Sequence, residues 1–224
     1  MRLWLAALWL LGVGTAQAAD MIALRQTMIT LRYIDQDPGD APYPTRILVT
    51  PDFMRMDSGE DGGDFVLLDR RQRKVINVMR DNQLAMVFTS GTVPPKPASW
   101  KPRLDTRKAA RGTQRFSLAV NGVVCSEGLA VRRAPDAARA MAELKAILAA
   151  TQHRVWQASP REMQHDCDLV NMVWASGATL ELGLPLEERE FSGRTRQLES
   201  ESRQPLQPEL FRVPDGLTAI DAPS

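Results

Sequence analysis

Two histidines, two cysteines and two tyrosines in 224 residues leave little raw material for reactive chemistry. A nucleophilic triad needs a Ser or Cys beside a His that a third group orients, and only His153 and His165 could serve. No G-x-S-x-G elbow accompanies them, and neither a C-x-x-C redox pair nor paired zinc-ligand spacing occurs. Aromatic residues make up 6% of the chain and the formal net charge is only +1. Nucleic-acid binding rests on clustered Lys and Arg that displace counterions from phosphate, and a near-neutral chain offers no such excess. Nowhere does an apolar run reach the ~20 residues that span a bilayer. The expectation is a protein with no catalytic centre, cofactor or metal, and with no nucleic-acid partner.

What is present begins with MRLWLAALWLLGVGTAQAAD: one cation at Arg2, an apolar run from Leu3 to Leu11, and small residues ending in Ala16-Gln17-Ala18. Export needs a positive end, a short apolar helix and small side chains for the peptidase, in that order, so residues 1–18 read as a signal peptide. The mature chain, 19–224, is then expected as a single periplasmic domain with no transmembrane anchor after cleavage. Loss of Arg2 makes its two signs of charge equal in number. In an oxidising compartment an even pair of cysteines usually bonds. Closing the loop between Cys125 and Cys167 would stabilise the fold by about 4 kcal/mol on the chain-entropy model.

From Leu24 to Phe88 short apolar runs alternate with turn residues, the pattern of an antiparallel meander. RILVT, FMRMD, FVLLD, KVINVM and LAMVF are its strands, and DSGEDGG and RRQR are among its turns. Phe65 and Leu67 oppose Val66 and Leu68, and Ile76 and Val78 oppose Val75 and Met79, so both sheet faces must be covered or offered to an apolar ligand. Ser90 to Arg111, dense in proline, is expected to be a long connector across an edge. Strand signals resume at Gln114, turn at Asn121-Gly122 and continue to Val131. Pro135 then suits a helical first turn, and Ala137, Met141, Leu144, Leu148 and Thr151 recur at helical spacing. Ser159 and Glu162 have capping-box spacing for a second helix with the stripe Met163, Cys167, Val170 and Trp174. A Cys125–Cys167 bond would pin that helix to the sheet. Beyond Gly177, Leu180, Leu182, Leu184 and Leu186 alternate as in a strand.

Three clusters resemble sites without matching their chemistry. Neighbours on a helix point about 100° apart, so His165-Asp166-Cys167-Asp168 cannot converge on one ion. Asp57, Asp61 and Asp64 lack the ligand spacing of a calcium loop and suit a glycine-rich turn. Arg70-Arg71-Gln72-Arg73-Lys74 is expected as a solvated hairpin turn rather than a phosphate patch. The methionines of the meander, Met54, Met56, Met79 and Met86, fit core packing singly and a soft binding hollow as a group.

The segment FMRMDSGEDGGDFVLLDRRQRKVINV and the ending PELFRVPDGL resemble periplasmic proteins of the LolA-like superfamily, which includes LolA, LolB and RseB. The resemblance covers about Phe53 to Phe88 and Pro208 to Leu217. It implies an α+β fold, an incomplete antiparallel β-barrel curled around helices, with an apolar hollow that in LolA and LolB receives lipoprotein acyl chains. It further implies a binding or chaperone-like protein that holds an acyl chain or apolar peptide by burial. By strand face the candidate lining is Leu48, Met54, Met56, Phe65, Leu67, Ile76 and Val78. The alternative is an RseB-like envelope sensor or scaffold that acts through a protein partner.

Overall fold

A computed structural model describes residues 27–222; the expected signal peptide lies outside them. Twelve strands form one sheet: β1 Thr27–Gln36, β2 Tyr43–Val49, β3 Phe53–Asp57, β4 Phe65–Asp69, β5 Lys74–Met79, β6 Leu84–Thr89, β7 Pro102–Lys108, β8 Thr113–Val120, β9 Val123–Val131, β10 Leu184–Glu190, β11 Thr195–Pro205 and β12 Thr218–Asp221. Their order is β12-β6-β5-β4-β3-β2-β1-β11-β10-β9-β8-β7. Every pairing is antiparallel except that of β12 with β6.

This order corrects the expected half-barrel. The sheet is open, with β12 and β7 as its edges, and the two do not pair. Both edge strands are largely exposed and carry charged or polar side chains, which blunts their unpaired backbone groups. The apolar residues on both faces have a different cause from curling: the meander is covered twice. One face lies under helix α1, Pro135–Ala158. Ile29, Leu31, Ile47, Val49, Met54, Leu68 and Val75 meet Ala137, Ala140, Met141, Leu144 and Ile147 there. The alanines Ala137 and Ala140, fully buried, let the helix approach closely. The other face lies under a short 3-10 turn, Pro208–Phe211, where Met28, Leu48, Phe65, Leu67 and Val78 meet Leu210 and Phe211.

Local signals with strong backbone preferences hold. Asn121 and Gly122 take φ of 50° and 87°, the paired left-handed geometry of a type I′ hairpin. Gly128 is required for another reason: a Cβ there would collide with the Glu187 carbonyl and the Phe116 ring, where the β9–β10 register shifts. Other expectations change. The proline-rich stretch is not all connector, since Pro102 opens edge strand β7 at the first position, where no ladder donor is needed. Ser159 does not start a second helix but ends the first: it is the C-cap of α1, its hydroxyl donating to the Val155 carbonyl. In place of a full second helix come a 3-10 turn at Arg161–Met163, a short helix α2 at Asp166–Leu169, and a π-helical turn at Val170–Trp174. Met163 of the proposed stripe is 63% exposed. Leu180 and Leu182 sit in a 3-10 turn, and the strand starts only at Leu184.

Cys125 and Cys167 are bonded, with Cα atoms 4.9 Å apart and a sequence separation of 42. The bridge joins β9 to α2, as the pinning argument requires. Among the described residues no helix is long and apolar enough to cross a membrane. A disulfide and that absence are compatible with a secreted or periplasmic protein.

Candidate functional site

A cavity of about 240 Å³, partly open to solvent, lies between α1 and the centre of the sheet. Met141, Leu144, Lys145, Leu148 and Gln152 present one helical face to it, at the i, i+3, i+4, i+7 and i+11 positions. Ile47, Met54 and Met56 form its floor from β2 and β3. Asn171 and Met172 enter from the π-helical turn, Thr179 and Leu180 from the 3-10 turn, and Glu188, Glu190, Arg194, Thr195 and Arg196 from the β10–β11 hairpin. Four methionines therefore converge here, and an unbranched thioether side chain adapts its shape to what it meets.

The wall carrying Met172 is fixed by a short chain of covalent and hydrogen bonds. The disulfide holds α2 to β9. The Cys125 carbonyl then accepts from Asn171 Nδ2 at 3.1 Å and from the Phe191 N–H at 2.9 Å. One carbonyl thus ties both the π-helical turn and the β10–β11 turn to β9. Outside the cavity lining, Arg70, in the turn expected to be solvated, donates to Glu143 of α1 at 2.6 and 3.0 Å. Arg71 binds Asp52, so much of the basic run is engaged within the protein.

The charged rim is unevenly paired. Asp35 accepts from Arg196 Nε and Nη2 at 2.7 and 2.6 Å and from the Thr45 hydroxyl at 2.8 Å. Burial pushes the Asp35 carboxyl up, but the Arg196 bonds and charge, the Thr45 hydroxyl and Arg194 outweigh it and hold the group below its usual range. Arg196 also lies 5.0 Å from the centre of the Tyr33 ring. Tyr33 is fully buried, its hydroxyl donates to the Pro185 carbonyl, and burial raises its pKa. Arg194 reaches Asp35 and Asp37, each at 3.6 Å. Glu188 and Glu190 differ: among the described residues neither carboxylate makes a side-chain hydrogen bond or ion pair. Burial, and then the charge of Glu188, push the Glu190 carboxyl above its usual range, against the opposing fields of Lys145, Arg194 and Arg196.

The seven sequence-derived lining residues do not come together. Met54 and Met56 line the cavity. Leu48, Phe65, Leu67, Ile76 and Val78 occupy the opposite face, packed beneath Leu210 and Phe211. The register states this directly, since Arg55 pairs with Leu67 and Leu48 while Met54 pairs with Leu68 and Val49. Met141, Met172, Glu188 and Glu190 were not foreseen as site residues. Glu188 and Glu190, two acids at strand spacing on one face, carried a signal; Met172, in a π-helical turn, carried none.

The opposite face is closed by a network of ion pairs. Arg55, 1% exposed, lies 4.0 Å from the centre of the Phe65 ring, bonds Asp57 and donates to the Leu210 carbonyl at 2.8 Å. Arg46 holds Asp57 and Asp61, at 2.8 and 2.7 Å. Burial raises the Asp57 carboxyl, but bonds from Arg46, the Gly59 N–H and Arg55 outweigh it and lower its pKa. The acidic turn is therefore bound to arginine. Among the described residues no group of three or more His, Cys, Asp or Glu is placed to hold a metal. A second hollow, of about 480 Å³, is lined by Arg115, Glu127, Glu187, Arg189 and other polar residues, with Phe116 as its large apolar wall.

No family model matches the chain, and no curated protein does. Among solved structures it is similar to an uncharacterised conserved protein from Thermus thermophilus, at 12% identity and a TM-score of 0.43, over 92% of this chain and 99% of that one. It is also similar to PNGF-II, at 10% identity and a TM-score of 0.37, over 88% of this chain and 32% of that one. Likeness at this level assigns the chain neither a family nor an activity.

Proposed function

We propose that this is a periplasmic, non-catalytic binding or chaperone-like protein that buries an acyl chain or an apolar peptide side chain in the methionine-floored cavity under α1. The observation that carries the proposal is the convergence of Met54, Met56, Met141 and Met172 on one partly open hollow. A cavity of about 150 Å³ lined by apolar side chains already takes benzene, and drug-sized ligands occupy roughly 300–1,000 Å³. At about 240 Å³ the space suits one short apolar segment rather than several chains at once. Each CH2 buried contributes about 0.8 kcal/mol before ordering costs. The binding energy is thus that of burial, with the charged rim left to orient whatever head group the ligand carries.

The test is extraction and mass spectrometry of organic-soluble material from protein purified out of the periplasm, together with titration of the purified chain with octanol. Bound apolar compounds in the extract, or saturable octanol binding abolished in Met56→Glu, is the expected result. An empty extract with no octanol binding overturns the proposal.

A further inference from the structure

Resting on that proposal, we infer that the ligand of this cavity carries a cationic head, a primary amine or ammonium group on a short apolar chain, received by Glu188 and Glu190. The cavity has an apolar end and a charged end, so its occupant is amphipathic. The sign of the head group follows from which rim charges are already satisfied. Arg196 is held by two hydrogen bonds to Asp35, and Arg194 by Asp35 and Asp37. These two arginines and two aspartates balance one another. What remains facing the hollow is Lys145 against Glu188 and Glu190, one cation against two acids.

Geometry favours a donor over a second carboxylate. Glu188 and Glu190 stand two residues apart on β10 and both line the cavity, which Arg189 between them does not; Glu188 and Arg196 also border the second hollow, where Arg189 lies. Glu188 is in register with Arg196, yet Asp35 takes the Nε and Nη2 of that guanidinium. An ammonium between the two carboxylates would supply the hydrogen bonds that both lack and bring the remaining charge to zero. A fatty-acid carboxylate would meet two unpaired acids and one lysine. Carboxylates partly removed from water gain more from such a bond than exposed ones.

Calorimetric titration of the full chain with octylammonium, octanol and octanoate separates the possibilities. Octylammonium should bind about tenfold more tightly than octanol, as one charge-assisted bond implies, with octanoate weakest. Glu190→Gln should lose about that tenfold advantage of octylammonium over octanol, and a far-ultraviolet circular dichroism spectrum matching that of the unaltered chain shows that the variant is folded. Lys145→Met should strengthen octylammonium binding by removing the competing cation. Failure of octanol to bind, together with an empty extract, would overturn the cavity proposal and this inference with it. If octanol binds but octylammonium gains nothing over it, or octanoate binds best, the cationic head alone is overturned.

Discussion

The two faces of the β2–β5 meander come from the same alternating strands and end up finished in opposite ways. Beneath Pro208–Phe211 the face is sealed: Leu48, Phe65, Leu67 and Val78 are all buried, and Arg55 reaches across to the Leu210 carbonyl. Beneath α1 the face packs solidly around Ile29, Leu31 and Val75 but leaves a hollow at Met54 and Met56. Branched and aromatic side chains with satisfied ion pairs make the closed face, and flexible thioethers under a single helix make the open one. Apolar residues on both faces of a strand therefore do not announce a binding surface. What distinguishes the two is the covering element and whether the side chains beneath it fill the space.

The comparison breaks hardest at Arg55. Truncating it to alanine leaves Asp57 buried with one partner fewer and the Leu210 carbonyl unsatisfied, a loss of about 3–5 kcal/mol. Urea unfolding should show that loss, and limited proteolysis should cut near Leu210. Octanol affinity of the fraction still folded should be unchanged, because the cavity is on the other face. Reducing the Cys125–Cys167 bond should cost about 2–4 kcal/mol. Unlike the Arg55 change it should also weaken octanol binding, since the bond anchors the wall that carries Asn171 and Met172.

Acid should act through both faces in the same direction. Asp35 and Asp57 have lowered pKa values in the fold, so their stabilisation is complete above the unfolded carboxylate value of about 3.9 and is lost as pH falls through their folded values. Glu190 has the opposite sign: its raised pKa favours the fold when it is protonated, and that contribution is lost as pH rises through its folded value. Urea midpoints measured from neutral pH downward should therefore fall most steeply below about pH 4, and Asp57→Asn should flatten that fall. The smallest expected effect is a slight rise in melting temperature for Glu190→Gln near neutral pH, read by calorimetry, because it removes a charge held partly out of water.

How much of this could be read from residues alone depends on how local each decision is. The Asn121-Gly122 hairpin, the long helix after Pro135 and the strands of the meander follow from backbone preference and periodicity within a few residues. The disulfide follows from the cysteine count and the export expected from the first residues. Sheet closure does not: it depends on β1 pairing with β11, joining Thr27 to Pro205, and on which strands remain as edges. Strand parity correctly puts Phe65 and Leu67 on one side and Val66 and Leu68 on the other, but it cannot say which side Met54 shares. That needs the β3–β4 register. The site's remaining methionines arrive from α1 and from a π-helical turn, and only three-dimensional packing brings them together with Met56.

The methionine methyl groups offer the most direct view of the difference between the faces. With methyl-labelled methionine and octanol titrated into the full chain, carbon–proton correlation spectra should show saturable shifts at Met54, Met56, Met141 and Met172, while Met28, on the sealed face, stays in place. Shifts centred on Met28, or none at the four cavity methionines, would contradict the assignment of the binding hollow to the helix-covered face.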